Sequence, residues 1–407
     1  MKLANKLFSS MLAVAAILFW AGCGGGCPTN SLSSTGSGSG TTAGVSHGGT
    51  ACGAGTTPGG GGGNGTTVSA LLYYMGTNNI LGASLSSTGT FAAITSFVPP
   101  TLPSSVGSDM LIVNKNFLYL PQSDSLTIQA FAIDHTTGAL TAIPGSPFAT
   151  ASASSIAADP TGRFLFAGSD TTGQISVFQI NATTGALVAA PGSPFTAFNL
   201  DFAHVLAVDG TGKFIYAGQG SAFLPVHGFS IDQNTGALSP ITGSPFVLNV
   251  AGVRTDFTGK YAIGLSGTAG DNHLYVFAID PTTGGLAPVA NSPFATVATQ
   301  LFDLKVHPSN QFVYSFGQTS NGTIAAMEGF TLDPTTGALT ELSESPFTTV
   351  PIVDDCKWDQ GGTEAFCANA TTSAFSVLGT NLSTGALTHT VTDLSVTNDA
   401  VAFAPTD

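Results

Sequence analysis

A seven-bladed β-propeller is the fold this sequence predicts, and three observations predict it. A Thr-Gly-Ala-Leu element recurs about every fifty residues. Each repeat holds four short stretches of β pattern separated by turn residues. The two ends of the repeat region read as complementary parts of a single blade.

The repeat comes first because its period decides the architecture. The element stands at Thr137-Gly138-Ala139-Leu140, Thr184-Gly185-Ala186-Leu187, Thr235-Gly236-Ala237-Leu238, Thr336-Gly337-Ala338-Leu339 and Thr384-Gly385-Ala386-Leu387. Thr283-Gly284-Gly285-Leu286 and Thr88-Gly89-Thr90-Phe91 are variant copies. The seven glycines are 49, 47, 51, 48, 53 and 48 residues apart. That period with β patterning gives an all-β ring of four-stranded antiparallel blades rather than a helical solenoid.

Blade three shows the pattern most clearly. Residues 155–158 are predicted as the inner strand, 163–168 as the second, 174–180 as the third and 187–190 as the outer one. Asp159-Pro160-Thr161-Gly162 turns the first pair, and Asn181 to Gly185 turns the third into the fourth. Beyond the outer strand lies Gly192-Ser193-Pro194-Phe195, with Pro-Phe repeated at 147, 245, 293 and 346. Proline suits an edge strand or its exit, and the phenylalanine is expected to pack between blades.

Ring closure follows from the ends. Residues 69–76 match a second strand, and 399–405 match an inner strand with its turn. The C-terminal strand is therefore expected to complete the first blade, removing open sheet edges.

Three regions are expected: a signal peptide over 1–22, a flexible tether over 23–67 and the propeller over 68–407. Lys2 and Lys6 precede an apolar run over 7–20, and Ala21-Gly22-Cys23 follows. This resembles a bacterial lipoprotein signal with Cys23 as the acylated residue, and it implies an exported protein anchored at the cell envelope. The Gly, Ser and Thr tether buries too little apolar surface to fold. Cys27 and Cys52 lie within it, and their pairing is left open.

Charged residues make up only 8% of the chain, and 9 basic against 23 acidic residues give a net charge of −14. No basic stripe exists for a phosphate backbone, so a nucleic-acid partner is excluded. Membrane contact is expected through the lipid alone, and a closed ring is expected as a monomer.

Cys356 and Cys367 flank the turn at Asp359-Gln360-Gly361-Gly362 and are expected to form a disulfide. A simple three-residue loop would instead set Cys356 opposite Phe366. Arg163, Lys213 and Lys260 recur at one turn position and read as solvated residues, and His307 reads as a turn cap.

Propellers bind ligands where inner strands begin. Four to six residues before the inner-strand turns stand Asp109, His204, Asp303, Asp354, Asp355 and Asp399, with Ser154 and Ser155 in blade three and only Ala251 and Gly252 in blade five. Carboxylates facing one axis need a cation or hydrogen-bond donors. The ring therefore suits a divalent cation such as Ca²⁺, with Asp303, Asp354, Asp355 and Asp399 as candidate ligands, or a polyhydroxylated small molecule. His204 is placed to act as a base.

Two stretches carry a family resemblance: Asp159-Pro160-Thr161-Gly162-Arg163-Phe164-Leu165-Phe166-Ala167 and Val276-Phe277-Ala278-Ile279-Asp280-Pro281-Thr282-Thr283-Gly284. Together with Lys305-Val306-His307-Pro308, they make residues 68–407 resemble the 6-phosphogluconolactonase-type lactonase family and its YVTN-repeat relatives. The resemblance implies a seven-bladed ring and lactone hydrolysis. Enzymatic members carry Pro-Arg-His where this chain has Leu301-Phe302-Asp303, so it lacks the basic pair that suits a phosphorylated substrate.

Two functional readings result. The first is an envelope-bound module presenting its loops to a small molecule, a glycan or an envelope protein. The alternative is a hydrolase opening a neutral sugar lactone or related ester at the channel, with a divalent cation as a possible aid.

Overall fold

The computed structural model describes residues 68–75, 79–86, 90–94, 110–122, 126–151, 154–169, 172–196, 203, 205–220, 224–266, 268, 271–318, 327–348, 353, 355–369, 374–390 and 394–395. The chain divides into Met1–Gly63 and Asn64–Asp407, and every described residue lies in the second unit. The signal, Cys23, Cys27, Cys52 and the closing strand at 399–405 all lie outside the described residues.

Seven antiparallel sheets follow one another along the chain. Blades two to seven each run in the order inner, second, third, outer strand. Blade three has Ser155–Ala158, Phe164–Gly168, Gln174–Ile180 and Leu187–Ala189, within a residue of prediction at each end. Blade one shows three strands, Val68–Met75, Ile80–Ser86 and Phe91–Ala93.

Alternation along each strand buries both faces, because every sheet is sandwiched by two neighbours. In blade three, Phe164 and Phe166 pack with Ile215 and Phe229 of blade four. Leu165 and Ala167 pack with Tyr119 and Ile128 of blade two. Equivalent clusters join every other neighbouring pair, including blade seven to blade one and blade one to blade two. The interfaces therefore run all the way round, and each is a small hydrophobic core.

The repeated glycine has a physical role at these interfaces. Gly185 has φ of +71°, and a Cβ there would sit 2.5 Å from the ring of Phe117 in the preceding blade. Its carbonyl accepts a hydrogen bond of 2.7 Å from the buried Tyr119 hydroxyl. Tyr73 to Gly138, Tyr216 to Gly284 and Tyr314 to Gly385 repeat the contact. Tyr73 lies on the first described strand, which so behaves as the second strand of its blade, as the sequence alignment requires.

The inner-strand turns are capped by side chains. Asp159 Oδ1 accepts from the N–H groups of Arg163 and Phe164 at 2.6 and 2.7 Å. Asp209 and Asp256 repeat this cap. His307 takes the same place, with Nδ1 2.8 Å from Ser309 Oγ and Nε2 2.8 Å from the Gly362 carbonyl of blade seven. Arg163 is exposed at its turn, as the sequence reading has it, and also bridges two blades. Its guanidinium donates to the carbonyl and side-chain oxygens of Gln233 in blade four, at 2.7 and 2.8 Å. Lys260 reaches the Pro334 carbonyl of blade six in the same way, at 3.4 Å.

The outer edge is broken in two. In blade three, Leu187–Ala189 and Phe195–Thr196 both pair with the third strand, and Ser193-Pro194 lies between them. The interruption leaves the Val177 N–H without a strand partner, and Ser193 Oγ accepts it at 2.9 Å. Ser146, Ser244, Ser292 and Ser345 do the same in their blades. Phe148, Phe195, Phe246, Phe294 and Phe347 pack against the interface clusters, as expected.

Cys356 and Cys367 are directly paired across the inner hairpin of blade seven and form a disulfide. The register differs from the three-residue loop considered above. Trp358 pairs with Ala365, which leaves six residues in the turn, closed by Asp359 bonding the Glu364 N–H.

Candidate functional site

Inner strands of neighbouring blades approach one another around the axis. Strand geometry puts residues two apart on one side. The residues four and two before each turn therefore share a face. In blade six these are Asp303 and Lys305, in blade seven Asp355 and Lys357, and in blade five Gly252 and Arg254. A register shift between Val250 and Val253 and another between Leu301 and Asp303 bend the strands of blades five and six here.

These side chains form a charge ladder that crosses three blades. Arg254 donates to Asp303 Oδ1 at 3.1 Å. Lys305 donates to Asp303 Oδ2 at 2.7 Å. The same ammonium lies 2.7 Å from Asp355 Oδ1, a close ion pair. Lys357, next on that face, donates to the Met110 carbonyl of blade two at 3.1 Å. Side-chain exposures of 20% for Asp303 and Lys305 and 34% for Arg254 leave the ladder reachable from solvent.

Electrostatics follow the contacts. Burial alone would raise the Asp303 pKa, but Arg254, and after it Lys305, outweigh burial and hold the carboxyl down at about 2. Burial would lower Lys305, yet Asp303 and then Asp355 raise its pKa well above the ordinary lysine value. Asp303 and Lys305 are therefore both charged at neutral pH.

Of the six residues expected at the mouth, the structure brings Asp303 and Asp355 together through Lys305. Asp109, His204, Asp354 and Asp399 lie outside the described residues. The mouth read from sequence was acidic and short of cations. Where it is described, Asp303 and Asp355 instead meet protein cations, and Arg254, Lys305 and Lys357 outnumber them. No cluster of three or more His, Cys, Asp or Glu side chains gathers to hold a metal ion among the described residues. Sequence reasoning missed the three basic residues because it stopped four residues before the turn. Two-residue spacing from Asp303 and Asp355 would have found Lys305 and Lys357.

Residues 77–197, covering much of the first three blades, match the family described as lactonase, 7-bladed beta-propeller. The match is to the lactonase propellers. No curated protein matches. A protein from Bacteroides fragilis described as a candidate 6-phosphogluconolactonase shares the fold with a TM-score of 0.63 at 20% identity, covering 85% of this chain and 100% of that one. A periplasmic gluconolactonase of Pseudomonas aeruginosa gives 0.61 at 15% identity, covering 84% and 98%. A second Bacteroides protein so described, from B. uniformis, gives 0.61 at 19%, covering 81% and 97%. At these identities the likeness to these solved propellers is one of fold.

Proposed function

We propose that this lactonase-type propeller hydrolyses a neutral sugar lactone at its channel mouth. The observation that carries the reading is the ladder from Arg254 through Asp303 and Lys305 to Asp355. Lactone opening builds negative charge on the carbonyl oxygen, and fixed cationic donors stabilise that charge in a partly desolvated site. Arg254 and Lys305 are such donors, prealigned by their carboxylates. Asp303 and Asp355 offer acceptors for substrate hydroxyls. A phosphate dianion would have to displace an existing ion pair, which favours an uncharged substrate. The lactonase match over 77–197 and the fold shared with a gluconolactonase support the same reaction class. This reverses the order expected from sequence, in which a binding module stood first.

Export and a lipid on Cys23 are part of the proposal, as are a monomeric state and the absence of a nucleic-acid partner. Metabolic labelling with a fatty acid, in wild type and Cys23→Ala, tests the anchor.

Hydrolysis is tested by base consumption at constant pH with glucono-1,5-lactone and unsubstituted δ-valerolactone, corrected for spontaneous opening. Wild type is expected to favour the hydroxylated ring, and Arg254→Ala to lose about 10²-fold in kcat. Equal rates in both proteins would remove the ladder from the mechanism. No enzymatic rate with either lactone would return the binding reading to first place.

A further inference from the structure

The rim of the same mouth carries a second polar cluster, on blade five, that the ladder does not use. Ser266 ends the second strand and pairs with Val250, the first residue of the inner strand that holds Arg254. The third strand begins at His273. The turn between them therefore opens on the face where inner strands start. There Asp271 Oδ2 accepts hydrogen bonds from Ser266 Oγ at 2.8 Å and Tyr275 Oη at 2.9 Å. Its Oδ1 lies 2.5 Å from His273 Nδ1.

The arrangement fixes a tautomer. Burial would raise the Asp271 pKa, but the bonds from His273, Ser266 and Tyr275 lower it, so the group is a carboxylate at neutral pH. A carboxylate at Nδ1 keeps the neutral ring's proton there and leaves the lone pair on Nε2. The imidazole is 35% exposed.

The dyad is also rigidly backed. Asn272 and Thr296 exchange hydrogen bonds, Nδ2 to carbonyl at 2.7 Å and N–H to carbonyl at 2.8 Å. The next two N–H groups, of Val297 and Ala298, donate to the carboxylate of Glu328 in blade six at 2.7 and 2.9 Å. Glu328 is 1% exposed, and burying a carboxylate is costly unless it is fully bonded. Here it clamps the connection to which Asn272, between the two dyad residues, is bonded. Among the described residues, blade five alone brings a carboxylate–imidazole pair to this rim. Blade three has Ser169 with Thr172 in the same turn.

We infer that His273, positioned by Asp271, is the general base of lactone opening at this mouth. The inference rests on the hydrolase reading above. Val250, paired with Ser266 of the dyad's cluster, and Arg254 of the ladder lie on one inner strand, so the dyad and the start of the ladder share blade five. His273 Nε2 takes a proton from water as the water oxygen bonds to the carbonyl carbon. The carbonyl electron pair moves to the oxyanion facing the ladder. Collapse breaks the ring C–O bond, the imidazolium returns its proton to the leaving ring oxygen, and a hydroxy acid results.

The test uses the full chain and glucono-1,5-lactone. His273→Gln is expected to lower kcat by at least about 10²-fold with KM within threefold, and to erase the acid limb of the kcat profile. Asp271→Asn should lower kcat while shifting that limb. Unchanged kcat in His273→Gln, or a change confined to KM, overturns the base and leaves the hydrolase reading intact. No turnover by wild type overturns both. Carbethoxylation of the wild-type protein guards against a misfolded variant. Activity should fall in step with modification at His273, followed by peptide mass. Full activity with His273 modified overturns the assignment.

Discussion

Lys305 of blade six holds its ammonium 2.7 Å from a carboxylate oxygen of Asp355 on the next blade. The same ammonium binds Asp303 on its own strand, so one cation serves two carboxylates. Lys305→Met leaves both without it. The expected loss is about 2–3 kcal/mol, below the full cost of breaking a buried pair because the ladder is partly solvated. Urea unfolding measures it. Lys213→Met, at an exposed turn, should change stability by less than about 0.5 kcal/mol.

Acid stability should carry the mark of Asp303. Its folded-state pKa of about 2 lies below the unfolded value, so its contribution is complete above about pH 4. That contribution is lost as pH falls from about 4 through 2 and amounts to about 2 kcal/mol. Unfolding midpoints between pH 2 and 6 should show a shallower acid limb in Asp303→Asn than in wild type. Parallel limbs would contradict the pairing.

The disulfide joins residues 11 apart, both fully buried. Closing a loop of that size removes unfolded-state entropy worth about 2–3 kcal/mol. Cys356→Ala with Cys367→Ala should lose about that amount. Digestion without reductant should release the two cysteine peptides as one linked species.

Two adjacent glycines separate conformation from packing. Gly284 has φ of +73°, and a Cβ there would lie 2.5 Å from Phe214. Gly285 carries no such restriction, its nearest neighbour being the Thr283 hydroxyl at 3.3 Å. Other copies of the repeat hold Ala at that position, as at Ala186 and Ala237. Gly284→Ala should destabilise by more than about 1 kcal/mol, and Gly285→Ala should be neutral or stabilise by about 0.5 kcal/mol. Thermal unfolding of the two variants makes the comparison.

The fold was legible because a blade is a local unit and its punctuation is local. Gly185 needs a positive φ, Asp159 caps its own turn and Pro194 breaks an edge, each visible within a few residues. Pairing between blades was harder to read. Arg254 meets Asp303 across 49 residues, and a register shift in each strand alters which side chains come level. The turn of blade five hid its chemistry for a related reason. Asp271 and His273 look like ordinary loop polarity until the Val250–Ser266 pairing sets them on the mouth.

The kinked outer strands bear on how copies of this protein meet. A long unpaired strand at the periphery invites another chain to extend the sheet. In blade three the periphery offers only a three-residue piece and a two-residue piece, with a proline between them and a serine already holding the exposed N–H. Edge-to-edge association would gain few backbone hydrogen bonds at such an interrupted margin. Crowded copies of this chain are thereby kept from growing into one another's sheets.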